Sequence, residues 1–157
     1  MDLEKYLEEN KIWHRFIHKP ETVHTADAAR VAGLELNRLT KNLVSKTDSG
    51  EYVILIVPGD RKADLESAAK ALGVKKVRLV PFDQAEQVSG YPPGATPSIG
   101  HKTKMRTIFD RSLTRYETIY CGGGSRDKLV ELKTKEVLEY SGALVAEISI
   151  GENEPSG

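Results

Sequence analysis

The chain has 157 residues, of which 39% are apolar and 29% charged, a composition typical of one globular domain with its own core. Its 23 basic and 23 acidic residues cancel, so the overall charge favours neither nucleic acid nor membrane, and either contact would need a local patch. The sequence lacks an apolar run of the roughly 18–20 residues that a membrane span needs. A single cysteine excludes an internal disulfide, and the N-terminus is too charged for a signal peptide, so we expect a cytoplasmic protein.

The first half of the chain is predicted to mix helices with strands. In chain order the predicted elements are a helix from Leu3, a strand over 12–17, a helix over 25–33, strands over 40–47 and 52–57, and a helix over 65–72. Asp2 is the predicted N-cap of the first helix, and Gly33 and Gly73 end the other two. The turn signal Asp48-Ser49-Gly50 joins the two longer strands into a predicted β-hairpin.

The second half continues this mixture. The predicted elements are a strand over 77–80, a helix over 83–89, strands over 107–109, 118–121, 129–132 and 144–150, and a helix over 134–140 capped by Thr134. Because helices and strands do not alternate strictly, the order favours a mixed sheet with flanking helices over a doubly wound fold. Residues 151–157 are polar and predict a disordered tail, so the domain is expected to span residues 1–150.

A loop rich in glycine and proline follows the predicted helix over 83–89 and reads Gly90-Tyr-Pro-Pro-Gly-Ala-Thr-Pro-Ser-Ile-Gly100. It contains no carboxylate, thiol or imidazole, so chemistry at this loop would depend on the main chain. The N–H groups of 94–96 could hold a carbonyl oxygen or a phosphate, as an oxyanion site does. The alternative is a structural turn, and the triplet Gly122-Gly123-Gly124 has the same two interpretations.

Lys41 is out of pattern in its predicted strand. Alternation places it on one face with Leu39, Leu43 and Ser45, and lysine rarely points into apolar surroundings without a task. A functional role is one hypothesis, and a side chain that extends to solvent at a sheet edge is the other.

The histidines and the cysteine do not predict a metal site or a nucleophile. His14 and His18 have the spacing of a metal pair only on a helix, whereas we place them in and just after a strand. Cys121 has no histidine or asparagine at a recognisable spacing, so a buried, inert thiol is expected.

A basic stretch follows the loop directly. Between residues 100 and 115 it contains Lys102, Lys104, Arg106, Arg111 and Arg115. A solvated rim is the usual explanation of such a stretch, but its position also suits phosphate contacts beside a site.

Together these features make the chain similar to the YbaK/ProX superfamily, the free-standing relatives of the prolyl-tRNA synthetase editing domain. The resemblance covers about residues 1–150. Its motifs, in order, are His18-Lys-Pro20, Val23-His-Thr-Ala26, Thr40-Lys-Asn-Leu-Val44, Val57-Pro-Gly-Asp-Arg61, the loop from Gly90 to Gly100, Phe109-Asp110 and Gly122-Gly-Gly124. Each motif alone is weak, and their common order makes the resemblance specific.

The resemblance implies a mixed, partly barrel-like α/β (α+β) fold and trans-editing, the hydrolysis of the ester that joins a wrong amino acid to tRNA. The catalytic residues that it implies are Lys41, Gly94, Ala95 and Thr96, where the loop and the lysine hold the reacting carbonyl or the attacking water. The implied substrate-binding residues are His24, Thr25, Asn42, Ser98, Gly122 and Gly123. Lys102, Lys104 and Arg106 would then contact tRNA phosphates.

The same resemblance implies no metal, no cofactor and no membrane, with the tRNA acceptor end as partner and a synthetase as a further one. A non-catalytic module that binds tRNA ends or a synthetase is the alternative function, and a small-molecule esterase is a second. The sequence departs from the family where the loop has Ser98 in the usual place of proline, and where Asn42 follows the lysine. Asn42 and Leu129 stand where the cysteinyl-tRNA deacylase branch has a threonine and an acidic residue, so a small amino acid such as alanine on tRNA(Pro) is the expected substrate.

Overall fold

The computed structural model describes residues 1–153. Its helices are α1 (Leu3–Glu9), α2 (Thr25–Ala32), α3 (Leu65–Leu72), α4 (Phe82–Ser89) and α5 (Thr134–Ser141). Its strands are β1 (His14–His18), β2 (Thr40–Thr47), β3 (Tyr52–Pro58), β4 (Arg61–Ala63), β5 (Val77–Leu79), β6 (Arg106–Asp110), β7 (Thr118–Gly122), β8 (Lys128–Lys133), β9 (Leu144–Ala146) and β10 (Ser149–Gly151). Within residues 1–153, no helix is long and apolar enough to cross a membrane.

The helix ends follow the local sequence. The Asp2 carboxylate accepts a hydrogen bond from the Lys5 N–H and caps α1, and α2 and α3 end at Gly33 and Gly73 as predicted. One predicted cap is wrong: Thr134 is the first residue of α5, and Lys133 occupies the N-cap position without a side-chain bond.

The strands form a mixed fold, as predicted. A five-stranded sheet has the order β5-β2-β3-β6-β9, with the β2–β3 pair antiparallel and the β3–β6 and β6–β9 pairs parallel. An antiparallel three-stranded sheet has the order β1-β8-β7, and β10 pairs with β4. In the described part of the chain an isolated bridge between Leu39 and Tyr120 links the five-stranded and three-stranded sheets, and the sheets do not close into a barrel.

Strand β3 is the centre of the core because both of its faces are buried. Val53, Leu55 and Val57 pack against α3, whereas Ile56 packs against the three-stranded sheet. These side chains are 0% exposed, which explains the nearly continuous apolar run of this strand.

The predicted strand over 144–150 is two short strands in two different sheets. Between them the Ile148 N–H donates to the carboxylate of Asp110 at 2.8 Å instead of to a neighbouring strand, and Asp110 is only 2% exposed. The buried carboxylate therefore interrupts the strand. The expected disordered tail also differs from the structure at its start, because Gly151 ends β10 opposite Arg61. Residues 154–157 lie outside the described part.

Candidate functional site

A cavity of about 650 Å³ follows the open edge of β2. Strand β5 pairs only with the second half of β2, over Ser45–Thr47, so the first half has no strand on that side. The cavity is lined by this exposed half, by the start of α2, by α4 and by the loop of 91–96. Its volume suits a small organic ligand or the end of a larger one.

Lys41 lines this cavity and carries an ion pair. Its ammonium donates to the Arg61 carbonyl oxygen at 2.7 Å and to the Glu152 carboxylate at 2.6 Å. The lysine side chain is 23% exposed and that of Glu152 is 51% exposed. The strand alternation is as predicted, since Lys41, Leu43 and Ser45 lie opposite Val57, Leu55 and Val53. An anionic group at the mouth could replace Glu152, because that carboxylate is partly in water.

Gly94 brings the loop against the start of α2. Its φ is +85°, a left-handed conformation that residues with a side chain resist. A Cβ at this position would lie 2.6 Å from the Val23 carbonyl oxygen and 2.8 Å from the Val23 Cα. Only glycine therefore allows this approach, which forms one wall of the cavity together with His24 and Thr25.

Of the three loop N–H groups at residues 94–96, one donates a hydrogen bond within the protein and two do not. The Ala95 N–H donates to the Pro92 carbonyl at 3.0 Å, and the Ala95 carbonyl accepts from Gly124 at 3.0 Å. Ala95 is 0% exposed, so it shapes the turn and offers nothing to the cavity, unlike the prediction. The N–H groups of Gly94 and Thr96 have no hydrogen-bond partner among residues 1–153, and both residues line the cavity.

Asn42 and Ser98, the two departures from the family pattern, contact each other. The Ser98 hydroxyl donates to the Asn42 side-chain oxygen at 2.7 Å. The Asn42 amide donates to the Thr40 hydroxyl at 2.9 Å and to the Thr96 carbonyl at 3.2 Å. Asn42 lines the cavity, but Ser98 is 0% exposed, and neither has a free amide or hydroxyl proton for a substrate. We infer that the pair fixes the loop to β2, which differs from the substrate contacts that were expected.

The glycines at the end of β7 are also packing positions. A Cβ on Gly122 would lie 2.4 Å from the Ala95 carbonyl carbon, and one on Gly123 would lie 2.8 Å from the Lys128 carbonyl oxygen. Gly122 reaches the cavity wall, whereas Gly123 is not part of the lining. The neighbouring Cys121 is 0% exposed, and burial raises its pKa to about 11, as expected for an inert thiol.

The outer side of the loop is held by a basic residue that the sequence analysis missed. The Arg126 guanidinium donates to the Pro93 carbonyl at 2.8 Å. Lys19 in turn donates to the Arg126 carbonyl at 2.6 Å and to the Thr22 hydroxyl at 2.7 Å, and burial lowers the pKa of Lys19. The loop is thus fixed from both sides, by Asn42 and by Arg126.

The basic stretch does not line the cavity. The Lys102 and Thr103 N–H groups donate to the Ser89 and Val88 carbonyls at the end of α4, and none of the five basic residues is part of the cavity lining. Arg106 forms two hydrogen bonds of 2.9 Å with the Glu51 carboxylate. Lys102 and Lys104 are exposed, and neither has an ion-pair partner within residues 1–153.

Both histidines lie in β1, so His14 is in the strand as predicted, whereas His18 ends the strand instead of following it. The His14 ring contacts the Ile12 carbonyl at 2.8 Å. Among the residues that the structure describes, no group of three or more histidine, cysteine or acidic side chains could hold a metal ion.

Two further cavity residues were not found from the sequence. Glu152 falls in the expected tail, and Phe82 directly precedes the predicted helix over 83–89, yet both line the cavity. The one available signal for Phe82 was its helical spacing with Ala85 and Glu86, which also line the cavity.

The chain is similar to known proteins over most of its length. A family model described as an aminoacyl-tRNA editing domain matches residues 19–140. An Enterococcus faecalis protein, described as a candidate Cys-tRNA(Pro)/Cys-tRNA(Cys) deacylase, is 27% identical over 94% of this chain and 92% of its own. The multifunctional Ser/Thr-tRNA deacylase ProXp-y of Escherichia coli is 28% identical over 83% of this chain and 77% of its own. A solved structure described as a candidate trans-editing enzyme for prolyl-tRNA synthetase has a TM-score of 0.83 and 25% identity, covering 96% of both chains.

Proposed function

The chain belongs to the aminoacyl-tRNA editing domain family, and we propose that it hydrolyses the ester of mischarged tRNA in trans, with alanine on tRNA(Pro) as substrate. One observation carries the proposal: Lys41, Gly94 and Thr96 line the same cavity, and the N–H groups of the two loop residues have no partner among residues 1–153. This arrangement offers a cation and two main-chain donors to an ester whose alcohol component carries phosphate.

The reaction needs little from side chains because an aminoacyl ester is already reactive. Water adds to the ester carbonyl carbon, the carbon–oxygen bond to the ribose breaks, and the ribose oxygen takes a proton. The products are the free amino acid and uncharged tRNA. We assign the Gly94 and Thr96 N–H groups to the negative oxygen that develops during attack, where each donor contributes ~3–4 kcal/mol. A neighbouring hydroxyl of the tRNA can carry the proton.

Lys41 is assigned to the nucleotide end of the substrate. Its ammonium is held at the cavity wall by the Arg61 carbonyl and by a carboxylate that is half exposed. A phosphate is a stronger partner for an ammonium than a half-solvated carboxylate, since it offers more acceptor oxygens. We therefore propose that the tRNA displaces Glu152 from Lys41 and that the lysine orients the terminal nucleotide.

Contacts beyond the terminal nucleotide are assigned to the exposed lysines of the basic stretch. Lys102 and Lys104 are free of ion-pair partners in the described part and can reach acceptor-stem phosphates. Arg106 would first have to break its hydrogen bonds with Glu51, so we assign it a smaller contribution to phosphate binding than the two lysines. A synthetase as a further partner is consistent with the relative described for prolyl-tRNA synthetase.

Alanine is proposed because Asn42 and Leu129 replace residues expected in a cysteine-specific site. The descriptions of the relatives named above give cysteine, serine or threonine esters as substrates, and all three are small amino acids. Discrimination among such side chains is modest, at ~1–3 kcal/mol for one methylene, so serine, threonine and cysteine are the competitors to measure.

The proposed function predicts that hydrolysis requires tRNA. With alanyl-tRNA(Pro) the protein should release alanine, whereas with alanine methyl ester the rate should stay at background, because positioning by the nucleotide is absent. Release of alanine is measured by thin-layer chromatography of labelled substrate. Equal acceleration of both esters would point to a small-molecule esterase. Binding of alanyl-tRNA(Pro) without hydrolysis would point to the non-catalytic module.

A further inference from the structure

Phe82 presents the most exposed large apolar side chain of the described chain, at the mouth of the cavity. It is 67% exposed, and Leu79 and Val23, which also line the cavity, are 47% and 41% exposed. Apolar side chains grouped around one opening indicate a surface that a ligand covers.

The backbone holds Phe82 in place. It is the first residue of α4, after Pro81, whose φ of −60° is fixed by its ring. Ala85 and Glu86, one helical turn further, also line the cavity, so this face of α4 points to the opening. Ala85 packs against the buried cluster of Val44, Ile54, Val80, Val88 and Met105, which anchors the helix.

We propose that Phe82 stacks on the base of the terminal nucleotide of the tRNA, an inference that rests on the proposed function. The ester is attached to the ribose of that nucleotide, so a base enters wherever the ester does. Single-stranded ends are recognised in this way, by unstacked bases on aromatic rings. Lys41 supplies the cation for the adjoining phosphate from the wall of the same cavity. An aromatic ring and a cation together match a nucleotide.

The residue is a binding residue, and its effect should fall mainly on KM. Loss of one base–aromatic stack is expected to lower kcat/KM by about 5- to 100-fold, so Phe82→Ala and Phe82→Leu should both show it. Phe82→Tyr should keep nearly wild-type activity, because its ring stacks equally well. Leu144→Ala is the matched control: Leu144 is 45% exposed but lies away from the cavity.

The decisive experiment changes the base as well as the ring. Alanyl-tRNA(Pro) is prepared with a normal or an abasic 3′-terminal nucleotide, by ligation of a chemically acylated dinucleotide. Wild-type protein should lose as much kcat/KM on the abasic substrate as Phe82→Ala loses on the normal one. In the Phe82→Ala variant, removal of the base should then lower kcat/KM by less than about twofold, because the Phe82 ring and the terminal base act as a pair.

Three results would overturn the stacking inference while leaving the proposed function in place. They are wild-type activity of Phe82→Ala, full activity of Phe82→Leu, and equal losses from the abasic change in wild type and Phe82→Ala. A wild-type protein that does not hydrolyse the normal substrate would instead contradict the proposed function itself.

Discussion

Replacing Gly94 with alanine is expected to lower kcat/KM for alanyl-tRNA(Pro) by about 100- to 1000-fold. Alanine resists a φ of +85°, and its Cβ would lie 2.6 Å from the Val23 carbonyl oxygen. The atom in the way belongs to the backbone, so the loop has to move. The Gly94 and Thr96 N–H groups then leave the position that we assign to the developing oxyanion. Single-turnover deacylation measures the loss.

A matched variant separates backbone strain from damage to the site. Gly50 has a similar φ of +91°, and a Cβ there would meet no atom within 4 Å. Gly50→Ala should lower the free energy of unfolding by about 1–3 kcal/mol, because that is what a non-glycine residue loses in a left-handed conformation. It should leave kcat/KM unchanged. Unfolding in urea is measured for both variants. If Gly94→Ala were as active as Gly50→Ala, the loop would not be the oxyanion site.

Replacing Lys41 with methionine is expected to lower kcat/KM by about 10- to 100-fold with little loss of stability. Methionine keeps most of the side chain and removes the charge that we assign to a tRNA phosphate. The ion pair with Glu152 is partly exposed, so its loss should cost less than about 1 kcal/mol in free energy of unfolding. Deacylation kinetics and urea unfolding give the two numbers.

Lys46→Met is the control for this substitution. Lys46 lies on the same strand, and its ammonium sits 5.1 Å from the centre of the Tyr52 ring instead of in the cavity. The Lys46→Met control should lower kcat/KM by less than about threefold. It should also change the salt dependence of tRNA binding only slightly. Equal effects of Lys41→Met and Lys46→Met would show that Lys41 acts only through general charge.

The sequence predicted the local elements well because their signals are local. The β2–β3 hairpin follows from two runs of strand residues around a turn, and the helix ends follow from Asp2, Gly33 and Gly73. The three-residue strands β4 and β10 were not predicted as a pair, because each forms only by pairing with a distant segment. That pairing places Glu152 beside Lys41, so the ion pair could not be predicted either.

The sequence pointed to Lys41 and Gly94 as candidate site residues, and the structure places both in the lining of one cavity. The contacts around them could not be predicted, for the same reason. Chain order indicated that the loop lies near a basic stretch, but not that the basic side chains stay out of the cavity lining. The role of Ala95 depends on which N–H group closes the turn, and composition does not fix this. Asn42 and Ser98 were seen as separate departures, whereas the structure joins them by a hydrogen bond.

The most direct test of the account is a panel of mischarged tRNAs incubated with the purified protein. Alanyl-, seryl-, threonyl- and cysteinyl-tRNA(Pro) are compared with correctly charged prolyl-tRNA(Pro), and the fraction still charged is followed over time. The account predicts rapid loss of at least one mischarged species, alanyl-tRNA(Pro) fastest, while prolyl-tRNA(Pro) stays charged. Loss of none of them above the rate without protein would contradict it.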